Sequence, residues 1–223
     1  MKVLVACEES QTVCKAFRAR GHEAYSCDTQ EPSGGHPEWH IRWDAVALVN
    51  GNCSFLTMDG TMHHIDGKWD LLIAHPPCTY LTNAGAVRMR VNGEIVPERY
   101  QKAMEAKAFF LQFLNADCQR IAVENPTPMK IVDLPPYTQA IQPWQFGHPY
   151  SKRTCLWLKG LPKLYPTQIV TNHEPYVNGG CKDAHGNYRR FQGRKERDQK
   201  TRSKTFPGIA KAMAEQWGGL PCE

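Results

Sequence analysis

The chain opens on an apolar run, Val3 to Ala6, with Cys7 just past it and Glu8 as the first charge. A run of that length without alternation predicts a strand buried on both faces. Residues 11–20 follow with Val13, Cys14 and Phe17 at helical spacing, Ser10 placed to cap and Gly21 placed to stop the helix. His22 to Cys27 reads as a second strand ending at Asp28. Residues 29–40, rich in Pro, Gly and His, read as loop. A third short strand near 39–43 reaches Asp44, and 45–68 carries no clear period. Trp69–Ala74 predicts the fourth strand. Pro97 opens the clearest helix, 97–116, on an apolar face of Ala103, Ala106, Phe110, Phe113 and Leu114. Arg120–Val123 predicts a strand ending at Glu124. Six prolines in 126–149 exclude one regular element there. Thr154–Leu158 predicts a strand, and 206–217 a closing helix with Pro207 near its start.

Strand, helix, strand, acid within 28 residues is the opening of a nucleotide-binding half. The whole pattern predicts an α/β, doubly wound, mostly parallel sheet. The 223 residues suffice for a single catalytic domain over 1–223. No stretch approaches the length of a membrane span, and the early acid argues against a leader, so a cytoplasmic protein that touches no membrane is expected. Nine cysteines, odd in number and without a Cys-x-x-Cys, fit a reducing compartment. The histidines and cysteines lack the paired spacing of a zinc site, so no metal is expected.

The net charge of +5 is uneven. Residues 182–204 carry nine Lys or Arg against three Asp or Glu, leaving the remainder slightly acidic. One basic surface that attracts phosphates is implied, with Arg189, Arg190, Arg194 and Lys195 at its centre. It reads as a loop.

The acids Glu8, Asp28, Asp44 and Glu124 and the run His75-Pro76-Pro77-Cys78 all fall at strand ends. In an open parallel sheet those ends share one rim, where ligands bind. Asp28 is placed for ribose hydroxyls and Asp44 for an adenine amino group. The turn after the first strand, Cys7-Glu8-Glu9-Ser10-Gln11-Thr12, lacks the glycines that a dinucleotide pyrophosphate needs. Glu8 there would repel a pyrophosphate and attract a sulfonium or amino group, which favours S-adenosylmethionine. Pro76 and Pro77 restrict the backbone ahead of Cys78, a candidate nucleophile. Thiolate attack at C6 of cytosine turns C5 into a carbon that accepts a methyl group. Glu124 is the candidate partner for ring N3, with Asn125 anchoring its loop. Arg153, beside Lys152, is the candidate donor to the base carbonyl or a phosphate. Thr79, Tyr80 and Asn83 are placed to shape the pocket.

Pro76-Pro77-Cys78 and Glu124-Asn125-Pro126 resemble the Pro-Cys and Glu-Asn-Val motifs of the DNA cytosine-5 methyltransferases, including their small phage and prophage branch. The resemblance implies a class I S-adenosylmethionine-dependent methyltransferase (Rossmann-like) fold and methylation of cytosine C5 in DNA through a Cys78 adduct. It implies Glu124 at N3, Asp28 at the donor's ribose and Asp44 at its adenine, with Cys7, Glu8 and Pro76 lining the donor site. The last helix, from Phe206, would pack beside the first strand. Lys152-Arg153 falls roughly where the family has Gln-x-Arg-x-Arg. The family's Phe-x-Gly-x-Gly and its large target-recognition region are missing, and residues 171–204 stand in as a reduced basic segment. Duplex or single-stranded DNA is the expected partner, with a protein partner or a second copy supplying specificity. Three alternatives stay open: methylation of an exocyclic amine of adenine or cytosine, a catalytically inactive DNA-binding or accessory protein, and C5-type chemistry with a modified donor or an RNA or nucleotide substrate.

Overall fold

A computed structural model describes residues 1–182, 187–191, 193 and 202–219. Seven strands form the central sheet: β1 (Lys2–Ala6), β2 (Glu23–Asp28), β3 (His40–Arg42), β4 (Leu71–Ala74), β5 (Ile121–Pro126), β6 (Gln139–Ile141) and β7 (Thr154–Lys159). Their order is β6-β7-β5-β4-β1-β2-β3. The β3-β2-β1-β4-β5 stretch is parallel throughout, and β7 runs antiparallel to both β5 and β6. This is the doubly wound, Rossmann-like architecture expected of the class I methyltransferase fold.

Alternation along the strands feeds two cores. Val3, Val5, Leu71 and Ile73 face helix α1 (Thr12–Arg18) and the closing helix α3 (Pro207–Trp217), packing on Val13, Phe17, Ile209, Met213 and Trp217. Leu4, Ala6, Leu72 and Ala74 face the other way, toward Phe110 and Phe113 of α2 (Pro97–Leu114). Burial on both faces explains why β1 and β4 read as unbroken apolar runs.

The structure fills in two stretches that the sequence left unassigned and departs from the sequence expectations in two places. Residues 45–68 contain a 3-10 turn, Ala45–Ala47, and a hairpin pairing Cys53–Leu56 with Met62–Ile65. The proline-rich stretch supplies β6, whose three residues Gln139–Ile141 lie between prolines. The basic segment is not all loop: Gly179–Lys182 pairs antiparallel with Tyr188–Phe191. Finally, Ser10 does not cap α1. Gln11 occupies that position in a left-handed conformation, and the Glu8 carboxylate accepts from Val13 N (2.6 Å) and Cys14 N (3.1 Å) instead. No described helix is long and apolar enough to cross a membrane.

Candidate functional site

Five parallel strands deliver their carboxyl ends to one rim, and antiparallel β7 brings its beginning to the same rim. The chain therefore places Cys7-Glu8, Asp28, Asp44, His75–Cys78, Glu124 and Lys152 along one edge. The Thr154–Pro126 and Leu156–Glu124 register sets β7 against β5 there.

Cys78 follows β4 directly. Pro76 is buried, Pro77 is exposed and the Cys78 side chain is partly buried. A short turn fixes it, with Leu81 N and Thr82 N both donating to its carbonyl. The next residues are pinned to the stretch after β5, since Asn83 N donates to the Thr127 carbonyl and Met129 N to that of Leu81. Cys78 and Glu124 thus sit on two connected strand ends. Burial, then the negative Glu124 carboxylate, push the Cys78 thiol up, and the positive charges of Lys152 and Arg202 pull against them.

The Glu124 side chain is 16% exposed, and its Oε2 lies 3.2 Å from His75 Nδ1. Burial favours the neutral carboxyl. The His75 hydrogen bond and charge, with Lys152, outweigh it and hold the group below the usual carboxylate range. Lys152 is itself pushed down by burial, with Glu124 and Cys78 acting in the opposite direction. Its Nζ donates to the Arg202 carbonyl at 2.6 Å and lies 5.8 Å from the Phe206 ring centre. A small cleft opens here between β5 and β7 on one side and residues 203–206 with the start of α3 on the other, lined by Glu124, Lys152, Thr154 and Phe206.

Arg153 does not join this group. Its guanidinium donates to the Tyr137 hydroxyl at 2.8 Å and sits over that ring at 5.8 Å. Lys152 and Arg153 are neighbours entering an extended strand, so they point to opposite sides. The cation beside Cys78 and Glu124 is Lys152. Tyr80 is engaged by Arg99 and Lys102, whose cationic groups lie 5.1 and 6.0 Å from its ring. Thr79 and Asn83 are exposed on the same turn. Asn125 is completely buried, and neither side-chain polar atom has a partner among the described residues. Arg189 and Arg190 fall on the second strand of the basic hairpin, while Arg194 and Lys195 lie outside the described residues.

At the β1–β3 end of the rim, Asp28 and Asp44 each accept one backbone N–H, from Gln30 and Val46 respectively. The charges of both aspartates help raise the Cys7 thiol, behind the larger effect of burial. The three residues therefore share one locality, with the 64% exposed Trp43 adjoining Asp44. The β1–α1 turn is built differently from a glycine-rich one. Cys7 and Gln11 both adopt φ of 57°, a region that costs a side-chain-bearing residue energy. The 30–36 loop lies across the turn: Ser33 N donates to the Glu9 carbonyl, and Gln11 exchanges hydrogen bonds with His36. Gly34 makes this approach feasible, because a Cβ there would meet Gln11 Cβ at 2.5 Å. Glu8 is 4% exposed and turned inward onto α1. Its carboxyl is raised by burial, against the His75 charge and its two N–H donors. It makes the helix cap and is not presented to a ligand.

The sequence singled out Cys78 and Glu124 for the chemistry but gave no role to the imidazole bonded to Glu124. His75 stands at the end of β4, and its position one residue before Pro76-Pro77 was the available signal.

No family model matches the chain, and no curated protein matches it. Among solved structures it is similar to a DNA modification methyltransferase encoded within an E. coli prophage, at 14% identity and a TM-score of 0.42 over 76% of this chain and 52% of that one. It is also similar to the Entamoeba histolytica methyltransferase EhMeth, at 12% identity and a TM-score of 0.38 over 75% of this chain and 57% of that one. The chain spans little more than half the length of either structure. Likeness this distant adds nothing to the reading of the site, which rests on the chain's own residues.

Proposed function

We propose that the protein transfers a methyl group to C5 of cytosine in DNA through a transient bond between Cys78 and C6. The observation that carries this reading is that the turn holding Cys78 is hydrogen-bonded to the stretch that follows Glu124, and that Glu124 and Lys152 line one cleft there. A thiol, a carboxyl and an ammonium so arranged suit attack on a pyrimidine: nucleophile to C6, acid to N3, cation to hold the thiolate and the base carbonyl.

Asp28 and Asp44 would hold the ribose and adenine of S-adenosylmethionine, which supplies an electrophilic methyl group. The base must leave the helix stack to reach a partly buried sulfur. Lys152 shields the thiolate from the Glu124 carboxylate. The Arg189-Arg190 hairpin and the basic residues around it bind the DNA backbone through charge.

The test is nucleoside analysis of DNA incubated with the protein and S-adenosylmethionine. 5-Methylcytosine that disappears in Cys78→Ser is the expected product. N4-methylcytosine or N6-methyladenine, formed equally by Cys78→Ser, would replace this reading with amine methylation. DNA binding without any methylated nucleoside would leave only a binding protein.

A further inference from the structure

His75 is placed unlike any other ionisable side chain at the rim. Its side chain is 10% exposed, and Nδ1 lies 3.2 Å from Glu124 Oε2. Nε2 is buried with no partner among the described residues. Its backbone is fixed, since its N–H donates to the Ala6 carbonyl at 3.0 Å between the two innermost strands. The carboxylates that feel its charge are Glu8 from the β1–α1 turn and Glu124 from β5; Cys78 from the turn after β4 and Lys152 from the entry to β7 interact with Glu124, and Arg202 acts on Cys78 and Lys152. An imidazole hydrogen-bonded to the Glu124 carboxylate, with its other ring nitrogen buried, can pass a proton to that carboxylate.

Building on the function proposed above, we propose that His75 is a positioning residue that holds Glu124 toward the base and supplies the proton that Glu124 passes to ring N3. An ionised carboxylate can only accept hydrogen bonds, so Glu124 alone has nothing to give N3. From the Cys78 thiolate onward the count closes. A sulfur lone pair forms the S–C6 bond, the C5–C6 π pair shifts toward C4, and the C4–N3 π pair moves onto N3. One proton leaves His75 Nδ1, is carried by the Glu124 carboxyl and ends on N3, leaving His75 neutral. C5 then takes the methyl group of S-adenosylmethionine, releasing S-adenosylhomocysteine; water accepts the C5 proton, the C5–H pair re-forms the C5–C6 double bond as the S–C6 pair returns to Cys78, and N3 returns its proton by the same route.

The experiment is the pH dependence of single-turnover adduct formation with 5-fluorocytosine DNA, for the parent protein, His75→Asn and His75→Leu. Asn can still donate a hydrogen bond from near the Nδ1 position but cannot ionise. The expected rate for His75→Asn at neutral pH is about 100-fold below the parent, because the amide holds Glu124 but has no proton to pass. The two pH profiles also differ in shape, since both rise with the Cys78 thiolate and only the parent depends on the second ionisable group. His75→Asn matching the parent in rate and profile, with only His75→Leu impaired, would reduce His75 to an orienting contact and overturn the proton route. Should His75→Asn melt early, His75→Gln serves in its place, and a parent-like rate and profile there overturn the route equally. A parent protein that forms no adduct refutes the cytosine chemistry itself, an outcome distinct from an adduct whose pH profile ignores His75.

Discussion

Replacing Glu8 by Ala separates a structural carboxylate from a ligand-binding one. Glu8 spends both oxygens on α1, accepting from Val13 N at 2.6 Å and Cys14 N at 3.1 Å. Hydrogen bonds to a charged group contribute about 1.5–3 kcal/mol each. Both donors belong to residues that are wholly buried, so Ala leaves two N–H groups without water or an acceptor. Against this stands the cost of burying the carboxylate, which its raised ionisation reflects. The balance is a loss of about 2–3 kcal/mol. For a chain of this size, 2–4 °C of melting temperature accompanies each kcal/mol, so Glu8→Ala is expected to melt about 5–10 °C lower. Urea unfolding monitored by tryptophan fluorescence checks the free energy directly. Calorimetric titration with S-adenosylmethionine at low temperature, where the variant is folded, provides the second arm. An unchanged melting temperature together with a tenfold loss of donor affinity would refute the capping argument and restore Glu8 to the donor site.

Other consequences are as specific. Lys152→Met removes the cation that opposes Glu124 at the thiol, so alkylation of Cys78 by iodoacetamide, followed on its tryptic peptide, is expected to slow about tenfold at pH 8, one unit of thiol ionisation. Arg153→Ala, whose partner is Tyr137, is expected to leave that rate within about twofold of the parent; a larger fall would put Arg153 back in the site. Glu124 is held below its unfolded value near 4.3. Its contribution to stability is therefore complete above that pH and lost as pH falls through the depressed folded value. Glu124→Gln is expected to narrow the stability gap to the parent on acidification from pH 5 to 3, in paired urea titrations, and a gap that widens would contradict the ion-pair assignment. Asp28→Ala is expected to weaken S-adenosylmethionine about 10- to 100-fold by loss of ribose hydrogen bonds, with unchanged melting.

The parts of the fold that were legible were those set by local pattern. β1 and β4 are buried on both faces, so their apolar runs mark them. α2 has Pro97 at its start and a long apolar face. β6 was not legible because its three residues take their strand character from pairing with β7, a contact made from a distance of 13 residues. The 53–65 hairpin was hidden for a similar reason: its exposed face carries Leu56 and Met62, which blurs the alternation. At the site, Cys78 was readable because it follows a strand run, and Glu124 because it ends the apolar part of one, although β5 itself continues to Pro126. The choice of Lys152 over Arg153 depends on which way an extended backbone turns at the entry to β7, and two adjacent cations give no hint of that. Glu8 misled because an acid in a first-strand turn suggests a ligand. Its actual partners are backbone groups that sequence does not display.

The central claim is that Cys78 bonds to the base. Intact-mass analysis of the protein after incubation with 5-fluorocytosine DNA and S-adenosylmethionine tests it most directly. The account requires a mass increase of one DNA strand plus one methyl group, mapped to Cys78 by digestion and absent in Cys78→Ala. Methylated DNA accumulating with no adduct, or an adduct on a different cysteine, would contradict it.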